Sequence, residues 1–480
     1  MIFRAAKFRN PSTILIANAA SQSILRFFSN VMLARLLMPT AFALTSITML
    51  IITGIQMVSD VGIAIMTLRH GSMNDADHER MWTMQLCRGI ILSFVLVALA
   101  EPASAVYQSP DLAIVLIVLS IVPTIQGAQN LYPILALSRQ DLMPMFWVEV
   151  VGRAGGTALS IAIAVIYPTV WALVIGILSQ VILSTLISHL LSEKRWPRFI
   201  FDLGFIRSHW KFSRWIQLGS TMTFIAAQVD KAVFPLLYGV ARFGVYGIGA
   251  SFALIPAQIT QRWSASIFYP LMVRSIKGSE DAKARLKSVR VTMLLYSAIV
   301  VTAVIAVSPF FFFLLYRPIY QEGARFSMLL AAACYFEVAE SSLRHYPLVD
   351  KTARYEFIAV IVRLAVFASL VIGILLLKKN ADLYAVSFTI GQVASFLFML
   401  VTCKRDQYID GKIDFILFIF MSMTIVLSYS FPIVPKSTVD AIAMLGVIGS
   451  ITAGLIFFVF IKRGLPSGHI QKPLDNVRVI

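Results

Sequence analysis

Ile299-Val300-Val301-Thr302-Ala303-Val304-Ile305-Ala306-Val307 is the centre of an apolar run over 291–316 that holds no acidic or basic residue. A helix needs about 20 such residues to cross a ~30 Å hydrocarbon core, so this run reads as a membrane span. Ile114–Val122 and Ala365–Leu377 lie at the centres of similar runs. Working outward from them gives about fourteen spans, at 12–37, 41–67, 81–107, 111–137, 143–167, 170–191, 213–238, 242–266, 291–316, 325–347, 355–377, 382–403, 413–433 and 437–461. The series is weakest at 213–266, where Gly239, Gly244, Gly247 and Gly249 dilute it and a twelve-span reading is the alternative. The expected class is an all-α polytopic membrane protein.

Composition agrees. The 480 residues are 58% hydrophobic and 14% charged, against about 25% charged in soluble domains. A soluble enzyme, a disordered chain and a secreted disulfide scaffold all fit poorly. The net charge of +17 would point to nucleic acid in a soluble protein; in a membrane protein it first sets orientation, because Lys and Arg collect in cytoplasmic loops. With the N-terminus inside, the outward loops hold only Arg242, Arg317, Arg325, Lys378, Lys379 and Lys436 of the 41 basic residues, and most of the rest fall in inner segments. Both termini are therefore expected in the cytoplasm. The stretch Thr13–Ile16 ahead of Ala17-Asn18-Ala19 is too short for a signal-peptide core, so the first span is expected to be retained. Cys87, Cys334 and Cys403 are scattered and form neither a disulfide framework nor a metal site.

The inner segment at 192–212 interleaves basic residues with Trp196, Phe199, Phe201, Phe205 and Trp210. That pattern suits a segment in the headgroup region better than a nucleic-acid surface. It also divides the chain into an N-terminal six-helix bundle (1–191), an amphipathic cytoplasmic linker (192–212), a C-terminal six-helix bundle (213–403), and two extra helices with a tail (404–480). The halves echo each other weakly. Leu36-Leu37-Met-Pro-Thr-Ala-Phe42 corresponds to Leu236-Leu237-Tyr-Gly-Val-Ala-Arg-Phe243, Tyr132-Pro133 to Tyr346-Pro347, and Arg153 to Arg363, each about 10 residues into its span. Transporters built from parallel repeats place substrate between their halves and work by alternating access. No phosphate-binding loop, zinc-protease motif or nucleophile elbow occurs, and no cofactor, metal site or catalytic residue is expected.

At these positions the chain resembles a family. Leu33-Ala-Arg-Leu-Leu-Met-Pro-Thr-Ala-Phe-Ala-Leu44, Asp60-Val-Gly-Ile63, Val229-Asp230-Lys231 and Leu237-Tyr-Gly-Val-Ala-Arg-Phe-Gly-Val-Tyr246 are similar to the polysaccharide-transporter (oligosaccharide-lipid flippase) branch of the multidrug/oligosaccharidyl-lipid/polysaccharide superfamily. The likeness covers residues 8–460. It implies a V-shaped pair of pseudo-symmetric six-helix bundles with two C-terminal helices. It also implies outward flipping of polyprenyl-diphosphate-linked sugars across a bacterial inner membrane, with spans one, two, seven and eight lining the cavity. Met38 and Phe234 stand where many relatives have Gly.

Charges near the bilayer centre cost at least ~2.5–3.5 kcal/mol on insertion scales and usually have a role. Arg26 lies about 14 residues, or ~21 Å, into span one. Asp230 and Lys231 lie at similar depth in span seven, and Arg262 lies late in span eight beside Gln258. With Gln56, these are the candidate diphosphate and sugar ligands, since Arg presents a donor fork that matches phosphate oxygens. The alternative for Arg26 is a structural bridge to Asp230. Arg35 is expected to snorkel and Asp60 to fix a helix end or meet Arg69. Glu149 and Arg153 are spaced for a helix ion pair, with a second cargo or ion site as the alternative. Glu337 and Glu340 lie near Arg344 and Arg363, and a carboxylate left unpaired there would bind a coupling Na⁺ or H⁺. The leading function is thus a flippase, not an enzyme, handling a polyprenyl-diphosphate-linked oligosaccharide among membrane lipids, with a polysaccharide polymerase or glycosyltransferases as partners and no nucleic acid. A cation-coupled drug or metabolite antiporter of the same superfamily is the runner-up, and a polytopic sugar ligase or acyltransferase a distant third.

Overall fold

Proline and glycine set most of the helix boundaries. Pro39 opens a helix directly after an extended Met38 (φ −84°, ψ 154°), and Pro110 does so after an extended Ser109; a residue at the first helical position needs no N–H, and proline's fixed φ suits it. Gly239, at φ +84°, makes the turn between two long helices with a backbone that residues with a β-carbon rarely adopt.

The computed structural model describes residues 11–60, 62, 75–138, 141–192, 196–257, 280–349, 354–377, 380–403 and 411–430. In order these form α1 (Pro11–Leu36), α2 (Pro39–Val58), α3 (Asp75–Ala98), α4 (Ala100–Tyr107), α5 (Pro110–Leu119), α6 (Val122–Gly127), α7 (Tyr132–Ser138), α8 (Met143–Ile166) and α9 (Val170–Leu191). Then come α10 (Leu203–Tyr238), α11 (Val240–Ala253), α12 (Glu280–Leu315), a 3₁₀ turn (Pro318–Tyr320), α13 (Glu322–Val349), α14 (Arg354–Leu377), α15 (Ala381–Cys403) and α16 (Gly411–Ser430). Among the described residues all regular secondary structure is helical, and ten helical stretches are long and apolar enough to cross a membrane. The fourteenth expected span, 437–461, lies outside the described residues, as do parts of the second and eighth. Side chains such as Leu376 (82% exposed) and Phe94 (73%) present apolar surface outward, as lipid-facing positions do.

Several boundaries differ from expectation: α2 stops at Val58, well short of 67, and the span expected at 81–107 begins at Asp75 and breaks at Leu99 into α3 and α4. The span expected at 111–137 is broken into α5, α6 and α7, because Pro123 removes a donor and residues 128–131 leave the helix. Its freed carbonyls are taken up from neighbouring helices. Gln85 Nε2 donates to Gln126, Gly127 and Gln129 at 3.1, 3.2 and 3.3 Å, and Trp82 Nε1 to Ala128 at 3.1 Å. Irregular backbone at membrane depth persists only where protein satisfies it. The span expected at 213–238 begins ten residues earlier, inside the anticipated linker, since no proline separates Pro197 from Pro235. The span expected at 291–316 likewise begins at Glu280.

Most helices of α1–α9 pack among themselves, as do most of α10–α16, and α2 joins the two groups by packing chiefly against α10 and α11. In the second group α13 is central: most of its residues are buried among α11, α12, α15 and α16. Phe234 fills this core, stacked on Tyr246 with ring centroids 4.3 Å apart and edge-on to Phe326 and Tyr384. Phe234, where the resemblance led to the expectation of a glycine, is a wholly buried ring. The stretch 196–202 lies extended against α3, with Ile200 N donating to Thr83 Oγ1 at 2.9 Å and Arg80 bridged to Asp202 at 3.2 Å. Its Trp196, Phe199 and Phe201 are 70%, 61% and 56% exposed.

Candidate functional site

The two helical groups meet most closely at the end carrying the α1–α2 turn. Gly244 of α11 abuts the Pro39 carbonyl so closely that a β-carbon would collide with it. Tyr320 donates to the carbonyl of Leu37 at 3.0 Å, and Tyr107 of α4 to that of Ala232 in α10 at 3.2 Å. Arg35, expected to snorkel, instead donates to the last carbonyls of α12, at Leu315 (2.7 Å) and Leu314 (3.2 Å). Cations are favourable there because a helix C-terminus carries unsatisfied carbonyls and partial negative charge. Phe27 of α1 joins Phe252 and Phe311 of the second group, with centroids 5.3 Å from Phe311. Toward its other end α2 still follows α10, where Gln217 donates to the carbonyl of Val58. The glycines at 244–249 differ in their surroundings. Gly244 and Gly249 sit against backbone, and Gly247 faces open space.

The intramembrane charges fall into separate groups. Arg26 is exposed on α1 and interacts electrostatically with Arg153 of α8, as does Glu149. Glu149 accepts a 2.9 Å hydrogen bond from Asn18 of α1. The expected close pair between Glu149 and Arg153 is therefore replaced by a link between helices, and Arg153 Nε has no hydrogen-bond partner among the described residues.

In α10, Asp230 and Lys231 point to different neighbours, as adjacent helical residues must. Asp230 is 3% exposed; its Oδ2 accepts from Tyr246 at 2.8 Å, its carbonyl from Tyr384 at 2.7 Å. It is turned into the second bundle, and no bridge to Arg26 forms. Its Oδ1 has no partner among the described residues. Lys231 is half-buried and donates to Gln228 at 2.8 Å. It lies within electrostatic reach of Cys334, as does Glu337. Pro235, inside α10, lacks the N–H that would otherwise bond the Lys231 carbonyl.

Glu340 and Arg363 do approach each other, through a residue the charge search missed. Gln392 of α15 donates to Glu340 at 2.6 Å and accepts from Arg363 at 2.8 Å, and all three are buried. Gln56 belongs to a polar knot within the first group: it donates to Gln126 at 2.7 Å, and its carbonyl accepts from Arg88 at 2.5 Å. Asp60 accepts from Gly62 N at 2.9 Å beyond the end of α2, fixing the chain there as expected. Gln258 and Arg262 lie outside the described residues. A second missed feature is the Arg290–Asp414 bridge, two bonds of 2.8 Å with both side chains almost fully buried. At the α1–α2 end, Arg242 pairs with Glu322 and Arg325 with Asp382 (3.0 Å). No group of His, Cys, Asp and Glu suited to a metal occurs among the described residues.

Two packed helical groups, in contact along α2 and carrying charges within their spans, define a polytopic membrane protein of the two-bundle transporter fold. Its overall course is shared with the lipid II flippase MurJ in an inward closed conformation (TM-score 0.68, 15% identity, 93% of this chain and 100% of that one). A multidrug resistance transporter of the MATE family, inward-facing, follows at TM-score 0.57 and 14% identity, over 85% and 95% of the two chains. At such identities the likeness is one of fold. The chain belongs to the polysaccharide biosynthesis protein family, which matches residues 32–317. It is 24% identical over 278 residues to the succinoglycan biosynthesis transport protein ExoT of Rhizobium meliloti (strain 1021), covering 56% of this chain and 55% of that one. It is 19% identical over 243 residues to the lipopolysaccharide biosynthesis protein WzxC of Escherichia coli (strain K12), covering 50% and 49%. The match thus spans about half the length of these curated relatives.

Proposed function

We propose that the protein is a flippase that carries a polyprenyl-diphosphate-linked oligosaccharide across a bacterial inner membrane, from the cytoplasmic to the periplasmic face, for surface or extracellular polysaccharide synthesis. The observation that carries this reading is the placement of Arg26 and Lys231. Each stands on the first helix of one helical group, at corresponding depth, and each keeps part of its side chain accessible while Asp230 is turned away. A cation kept within a span at a cost of several kcal/mol implies a compensating anion or water path, and a diphosphate supplies at least two negative charges. The lipid tail stays in the bilayer, so only the head group needs a polar route. The family membership and the transport relatives support the cargo class.

With both termini cytoplasmic, the α1–α2 end is periplasmic, and the contacts of Arg35, Tyr320 and Gly244 close that side. The halves, 1–191 and 213–403, then rock about this seam, and a Na⁺ or H⁺ gradient supplies the drive. The polymerase or glycosyltransferases that act before and after would meet the chain at the membrane surface. Export of polysaccharide in cells carrying Arg26→Ala or Arg262→Ala tests the reading. Each variant should insert at normal levels and lose export; full export in both removes the cationic cavity.

A further inference from the structure

Arg153 was expected to be neutralised by Glu149 one turn away, and the structure arranges these residues differently. Asn18, Gln22 and Arg26 recur every four residues, forming one stripe along α1. Glu149 and Arg153 form the matching stripe on α8, which packs against α1. The Asn18–Glu149 hydrogen bond fixes the register and draws the carboxylate toward α1. Across this patch the Arg26 guanidinium and the Glu149 carboxylate both act electrostatically on Arg153. The patch also holds orphaned polar atoms. Gln22 is 9% exposed and its Nε2 has no partner among the described residues, and the same is true of Asn18 Oδ1 and Arg153 Nε. A buried donor without a partner typically costs about 1–3 kcal/mol, so the two orphaned donors, Gln22 Nε2 and Arg153 Nε, describe a place prepared for an anion with several oxygens.

We propose that the facing stripes Asn18–Gln22–Arg26 and Glu149–Arg153 form an anion subsite in the first bundle, where Arg153 and Gln22 hold the cargo's diphosphate together with Arg26. The proposal rests on the flippase reading above and adds span five to the binding surface. Arg153 supplies a second donor fork, Gln22 a neutral donor between the two arginines, and Glu149 limits the net charge so that the anion can leave again.

The test uses the full chain in lipid nanodiscs at fixed salt, with farnesyl diphosphate and farnesyl monophosphate as probes in direct binding measurements. Losing one charge-assisted contact should weaken diphosphate binding about 10-fold or more in Arg153→Gln, with a smaller loss for monophosphate and partial recovery in Arg153→Lys. Glu149→Gln keeps the side-chain shape and removes the carboxylate's negative charge, so it should tighten diphosphate binding several-fold. A purely structural Glu149–Arg153 pair gives the opposite result: reduced thermal stability and no gain in affinity. Unchanged affinity in Arg153→Gln and Glu149→Gln, with a loss in Arg26→Gln, overturns the subsite and leaves the flippase reading standing. Diphosphate affinity indifferent to Arg26 as well overturns both. Should Arg153→Gln fail to fold, the sign of the Glu149→Gln effect decides.

Discussion

At the scale of single residues, the span-embedded charges differ in what surrounds them more than in their depth. Asp230 and Lys231 are neighbours in sequence, yet one meets two tyrosines in the core of the second bundle and the other bonds only an amide on its own helix. Their presence in a span was legible, because charged residues are conspicuous in an apolar run. Their directions were not, because those are set by Tyr246 and Tyr384, more than a dozen residues away. Gln392 was invisible for a related reason: a neutral amide leaves no mark in a charge search, although an amide mid-span facing Glu340 and Arg363 is the bridge both need. Gln392→Ala removes two buried hydrogen bonds to charged groups, those with Glu340 and Arg363, each typically worth about 1.5–3 kcal/mol. Thermal unfolding in detergent should show a clear drop in midpoint, and an unchanged midpoint would show that the triad carries no stability.

At the scale of elements, the helices were legible by hydropathy and their interruptions were not. The break between α6 and α7 depends on Gln85, Trp82 and His189, which satisfy carbonyls of another helix. The early start of α10 arises where the sequence offers charged and aromatic residues but no helix breaker. The docking of α16 rests on Arg290–Asp414, and the position of Arg290 at the edge of the apolar run 291–316 made it look like a topological charge. Removing one partner of a buried ion pair typically costs about 3–5 kcal/mol, while replacing both with apolar residues of like volume is often neutral. Asp414→Ala should therefore destabilise the protein more than Arg290→Met combined with Asp414→Leu; equal losses would contradict a buried pair. At the opposite end, Gly244→Val places a side chain against the Pro39 carbonyl. Spin labels at Thr40 and Val240 should then report a longer mean separation and reduced transport. An unchanged distance distribution would show that this contact does not close the seam.

At the scale of the whole molecule, the two-bundle arrangement was legible from span counting and from the long basic segments, and the fold shared with flippases and multidrug transporters agrees with it. What the pattern did not reveal was the asymmetry between the bundles. The second is built around a nearly enclosed α13 and a cluster of stacked rings, and in the first the polar stripes of α1 and α8 face each other. An asymmetric pair suits a device in which a rigid half supports rocking and the other half carries cargo contacts. Dissipating Na⁺ and H⁺ gradients separately in vesicles should slow transport in one case only; indifference to both would remove the coupling ion. The most direct test of the central claim is flipping in proteoliposomes that contain only the purified chain and a fluorescent polyprenyl-diphosphate oligosaccharide. Loss of accessibility on the loading face should be fast with the wild-type chain and absent with Arg26→Ala. No movement with the wild type, or equal movement in the variant, would contradict the account.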